Sequence, residues 1–161
     1  MKKGRELLGL PIIDAATRRR LGEVEDLLFD DKQFRITGFL IDKGGWFHPA
    51  RLVPLTGIQQ LAPDMLKAEN TEPQALTARV PLVSKLQRKK VTTQAGKPLG
   101  SVQDIVVDED SFRITGLEIS DGLIRDLLSG RALIERAAVI TESEHVVIVE
   151  DQLADIWERR F

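Results

Sequence analysis

Cysteine is absent from the 161-residue chain. Its absence excludes disulfides, thiolate metal sites and a cysteine nucleophile. Histidine occurs only as His48 and His145, thin material for a metal centre or a Ser-His-Asp triad. Charge of one sign is also scarce. The formal net charge is −2, so no global pull toward nucleic acid or anionic lipid is expected. Nowhere do about 18 apolar residues run together, as a membrane span requires. The apolar stretch 7–13 behind the basic N-terminus is broken by Gly9 and Pro11 and does not read as a signal peptide. The expectation is a cytoplasmic chain without membrane insertion. What is present is a soluble globular balance, 42% apolar and 30% charged, in a length that suits one ordinary domain or two small ones.

A repeat divides the chain. Residues 21–41, LGEVEDLLFDDKQFRITGFLI, align without a gap with residues 99–119, LGSVQDIVVDEDSFRITGLEI, and eleven of the 21 positions are identical. Chance at average residue usage gives about one identity, so this is an internal duplication with an offset of 78. Further on the match loosens, and 65–70 align with 145–150 after a two-residue shift. The expected organisation is a first unit over 1–70, a linker over 71–81, a second unit over 82–150 and a C-terminal helix over 151–161. Pro73 and Pro81 bracket the polar and small residues of the linker. The helix would be capped by Asp151, with Leu153, Ile156 and Trp157 on one side.

Each unit reads as short strands. In the first, 23–29 and 34–41 flank the polar turn Asp30-Asp31-Lys32-Gln33; in the second, Asp108-Glu109-Asp110-Ser111 fills the same place. Apolar runs around such a break form a hairpin. Along its second strand, Phe34 and Ile36 share one parity and Phe39 and Ile41 the other, as do Phe112 and Ile114 against Leu117 and Ile119. On this pattern Glu118 faces out. The phase changes at Gly38 and Gly116, which predicts a β-bulge or sharp bend there. Further strands are expected at 10–13, 51–54 and 65–68, and at 89–92, 132–134 and 146–149. Five or six short strands in roughly 75 residues suggest a small β-barrel. The fold class is therefore mainly all-β, two tandem barrels with short helices.

These motifs resemble the PRC-barrel superfamily: a strand opening Leu-Gly-x-Val-x-Asp, an Asp-rich turn, a Phe-Arg-Ile-Thr-Gly strand, then Val53-Pro54-Leu55. That superfamily includes the cytoplasmic domain of the photosynthetic reaction-centre H subunit and the C-terminal domain of the ribosome-maturation factor RimM. The Gly44-Gly45-Trp46-Phe47 stretch is similar to tandem members from Gram-positive bacteria. The resemblance covers both repeats. It implies docking onto proteins or ribonucleoprotein rather than catalysis, and it carries no catalytic residues.

Several residues invite a function. Asp26 and Asp104 repeat, as do Arg35 and Arg113. The acids either serve proton transfer, accept hydrogen bonds from a turn or bulge, or pair with an arginine. The arginines either pair with them or sit on the outer face. Arg18-Arg19-Arg20 and Arg88-Lys89-Lys90 read as RNA-phosphate contacts or as solvated loops. Neither His48 nor His145 has metal spacing, and no phosphate loop or nucleophile elbow is present. No metal and no cofactor are expected. Trp46 and Phe47 follow two glycines in a loop. In the second unit the same place holds Leu123, Ile124, Leu127 and Leu128, on one face of a short helix. These six residues are expected to cover barrel edges and to leave surface for a protein partner, a second copy of the chain included. The function expected is a non-enzymatic protein-binding or scaffold module. An RNA- or ribosome-associated adaptor is the alternative, and an enzyme has least in its favour.

Overall fold

The computed structural model describes residues 1–120, 132–143 and 145–153. The helix expected at 121–129, with Leu123, Ile124, Leu127 and Leu128, lies outside them, as does most of the C-terminal helix. The first copy comprises β1 (Lys2–Lys3), α1 (Gly4–Leu7), β2 (Pro11–Asp14), β3 (Arg20–Glu23), β4 (Asp26–Asp30), β5 (Arg35–Asp42), β6 (Arg51–Pro54), β7 (Ile58–Leu61), β8 (Leu66–Ala68) and β9 (Gln74–Ala75). The second comprises α2 (Val83–Leu86), β10 (Lys90–Thr93), β11 (Pro98–Val107), β12 (Ile114–Ser120), β13 (Ala132–Glu135), β14 (Val139–Glu142) and β15 (Val146–Val149). Among the described residues strands dominate, and the helices α1 and α2 are single turns.

The two copies use one strand order in two ways. In the first, β3-β2-β8-β7 and β4-β5-β6-β9 are separate sheets. In the second, the unbroken β11 takes the place of both β3 and β4 and joins the two halves as β13-β12-β11-β10-β15-β14. The pairing also settles the alignment beyond the hairpin. Ile12 pairs with Leu66 as Val91 pairs with Val147. The offset is thus 79 at the first strand and 81 at the last, as the expected strands imply and one residue more than the alignment of 65–70 with 145–150.

The hairpins form where expected, for a local reason. Asp30 Oδ1 accepts the N–H groups of Lys32 and Gln33, each at 2.8 Å. Asp108 Oδ1 accepts the N–H and the hydroxyl of Ser111 at 2.8 and 2.7 Å. Each turn ends in a buried phenylalanine with positive φ, +49° at Phe34 and +56° at Phe112. That conformation costs a bulky residue about 1–2 kcal/mol. Both carbonyls are used across the copies: Ile114 N–H donates to Phe34 O at 2.8 Å, and Ile36 N–H to Phe112 O at 2.9 Å. The Phe112 ring meets Phe39 edge to face, centroids 5.8 Å apart. Buried residues of both copies consequently form one connected core.

The bulges lie beside the expected glycines. Leu28 pairs with Gly38 but Phe29 with Ile36, so Thr37 is the extra residue; Val106 pairs with Gly116 but Val107 with Ile114, leaving Thr115. Neither glycine has positive φ. What excludes a side chain is the next strand. A Cβ would stand 3.1 Å from Val53 O at Gly38 and 2.8 Å from Ile134 O at Gly116.

Candidate functional site

The repeated acids hold the copies together. Each copy begins with a one-turn helix that packs on the hairpin strand of the other, α1 on β11 and α2 on β4. Lys3 pairs with Val106 as Leu82 bridges to Leu28. Asp104 is 1% exposed and accepts from Ile105 N–H at 2.8 Å, Arg5 N–H at 3.3 Å and Arg5 Nη1 at 3.1 Å. Asp26 is 5% exposed and accepts from Leu27 N–H at 2.8 Å and Ser84 N–H at 3.2 Å. Arg5 and Ser84 open equivalent helices, so each carboxylate satisfies an N–H at the start of the other copy's lead-in turn. Helix starts some 60 and 100 residues away in sequence gave no local signal of this exchange.

Arg35 and Arg113 do not meet these acids. They face each other in an isolated antiparallel bridge, both exposed. Arg35 Nε donates to Ser111 O at 3.1 Å. Glu118 corrects the alternation argument, because it is 4% exposed rather than outward. Lys3 Nζ at 2.6 Å and Arg5 Nη1 at 3.1 Å neutralise it, and those cations arrive with the exchanged segment. The basic clusters are broken up. Arg19 pairs with Glu72, Arg20 Nη2 lies 2.6 Å from Glu23, and Lys89 forms a largely buried pair with Glu142.

The loop between β5 and β6 is the feature that local packing does not absorb. Asp42, the last residue of β5, accepts Gly44 N–H at 2.7 Å, and His48 Nε2 lies 3.0 Å from its Oδ2. The Gly44 N–H, then the His48 imidazole, hold the Asp42 carboxyl below its usual value. Gly44 has φ +73°, and a Cβ there would lie 2.5 Å from Ala50 N. Gly45 N–H donates to His48 O at 3.0 Å, which brings the ends of the segment 45–48 together with Trp46 and Phe47 between them. Both rings stand in solvent: Trp46 is 99% and Phe47 100% exposed. They do not cover the barrel as expected. Leu133, another exposed apolar side chain, reaches only 55%.

Among the described residues no group of three or more His, Asp or Glu side chains is placed to hold a metal ion, and no helix is long and apolar enough to cross a membrane. The family model of the PRC-barrel domain matches residues 1–74 and again 82–153. The chain is also 27% identical over 139 residues to the uncharacterized protein YrrD of Bacillus subtilis (strain 168), covering 85% of this chain and 80% of that one. With both copies matched, nearly end to end, the chain belongs to the PRC-barrel family as a tandem two-domain member.

Proposed function

We propose that this protein binds a protein partner through the Trp46–Phe47 tip. Domains of its family are in general non-catalytic protein-interaction modules, and the chain is a tandem member of that family. The tip carries the more specific reading. Two large rings stand fully in water on a loop that Asp42, Gly44 and His48 hold in one shape. Rigid aromatics lose little conformational entropy on contact, and Trp is favoured where binding energy concentrates. The ion pairs of Arg19, Arg20 and Lys89 leave the RNA reading with less support.

Capture from cell extract at high salt, by wild type and by a Trp46→Ala/Phe47→Ala variant, tests the proposal. The wild type should retain a partner that the variant loses. Retention by both chains overturns the role of the tip. A salt-sensitive shift with RNA, unaffected by the variant, supports the adaptor reading instead.

A further inference from the structure

Resting on that reading of the tip, we infer that its partner is a second copy of this chain, whose inter-repeat cleft receives the two rings. A cleft of about 930 Å³ runs along the segment that joins the copies. Phe29 and Leu86 form its buried floor, while Leu76, Val80 and Leu82 are half-buried in its wall and Ala78 is exposed. The apolar part of this concave lining, which has a polar edge of Asp31, Lys89, Glu142 and His145, and the convex aromatic tip are complementary, and the described residues of one chain leave both open. Soluble monomers rarely leave such surfaces uncovered. Arg79 and Lys85 also line the cleft, and cations beside an aromatic face are attracted to it.

The placement of tip and cleft favours a closed pair. Leu76 N–H donates to Ala50 O at 2.7 Å, so the cleft wall adjoins the last residue of the tip loop. A surface that carries knob and hole side by side is self-complementary. Two copies related by a two-fold axis can fill both clefts, whereas widely separated knob and hole would build an open filament. The area is sufficient. Four rings at about 200 Å² each cover roughly 800 Å². With the smaller lining of the two clefts opposite them, the interface reaches about 1,200 Å², the lower end of the range for a specific interface.

Sedimentation velocity of the full chain over a wide concentration range tests the inference. The wild type should pass from one-chain to two-chain particles. Trp46→Ala/Phe47→Ala should weaken the pairing about thirtyfold or more. Ala78→Trp, which fills the cleft from an exposed position, should weaken it as well, with circular dichroism reporting an unchanged fold. Mixing the two variants should restore part of the pairing, because the tip of one then meets the intact cleft of the other. A wild type that stays one chain at every concentration overturns the second-copy inference while leaving the tip itself to the capture experiment. Pairing that both variants leave unchanged overturns it too. So does a monomer whose tip binds phosphatidylglycerol vesicles, which identifies a lipid surface as the occupant.

Discussion

The two copies solve the same packing problems with opposite chemistry. Leu10 and Leu61 lie partly buried against the core of the first copy. Strand pairing sets Lys89 and Glu142 at the equivalent places in the second, as an ion pair with side chains 11% and 10% exposed. The exchanged segments differ likewise. Where α1 meets β11, Lys3 and Arg5 face Glu118. At the equivalent places around α2 and β4 stand Leu82, Ser84 and Leu40. The two copies keep the strand pairing and the two aspartates, while the side chains around them are apolar or neutral at one place and charged at its equivalent. The lesson is that pairs, not single residues, are the unit of substitution here. A lone charge in either place would be buried without compensation.

The largest expected effect tests this directly. Lys89→Ala or Glu142→Ala alone should destabilise the protein by about 3 kcal/mol, because each breaks a largely buried ion pair, in which Lys89 Nζ also donates to Ser143 O at 2.6 Å. Lys89→Leu/Glu142→Leu, which copies the first repeat, should be neutral or stabilising by chemical denaturation. Additive losses in that double variant would break the comparison.

Next come the two carboxylates. Asp104→Ala removes acceptors from two N–H groups and a guanidinium and should cost about 3 kcal/mol; Asp26→Ala removes them from two N–H groups only and should cost about 1–2 kcal/mol. Equal losses would mean that the charged clasp is no stronger than the apolar one.

A smaller difference separates the bulge glycines. Gly116→Ala, whose Cβ would stand 2.8 Å from Ile134 O, should cost more than Gly38→Ala at 3.1 Å from Val53 O. Overpacking puts the larger loss at about 2 kcal/mol. Thermal melting should rank them in that order.

The smallest effect concerns the hairpin turns. The hydroxyl of Ser111, then its N–H, holds the Asp108 carboxyl below the usual value. In the first copy Gln33 supplies only a backbone N–H to Asp30. A folded-state pKa below the unfolded one contributes stability at pH above the unfolded value, near 3.9 for Asp. That contribution disappears as the pH falls through the lower folded value. Ser111→Ala should raise the Asp108 value and move this loss to higher pH, as carboxyl NMR titration would show.

Much of the fold was readable because its determinants are local. The identical Phe-Arg-Ile-Thr-Gly runs exposed the duplication, the aspartate turns marked the hairpins, and the parity change placed the bulges. The reason for glycine at 38 and 116 was not readable, since the carbonyl it avoids belongs to another strand. The exchange of α1 and α2 was hidden for the same reason. With it went the burial of Glu118, which alternation alone sends outward and which Lys3 and Arg5 make tolerable inside. At the candidate site, the glycines before Trp46 and Phe47 announced a loop. That the rings stand in solvent goes with the bond between Gly45 and His48, which sequence spacing does not reveal.

Fluorescence of Trp46 in a Trp157→Phe background addresses the central claim, that this tip is contact surface rather than core. In the dilute free chain Trp46 should emit as a solvated indole and be fully open to a soluble quencher. It should become blue-shifted and protected when the partner is bound. Emission that is already protected in the dilute chain, or that stays open with the partner bound, would contradict the account.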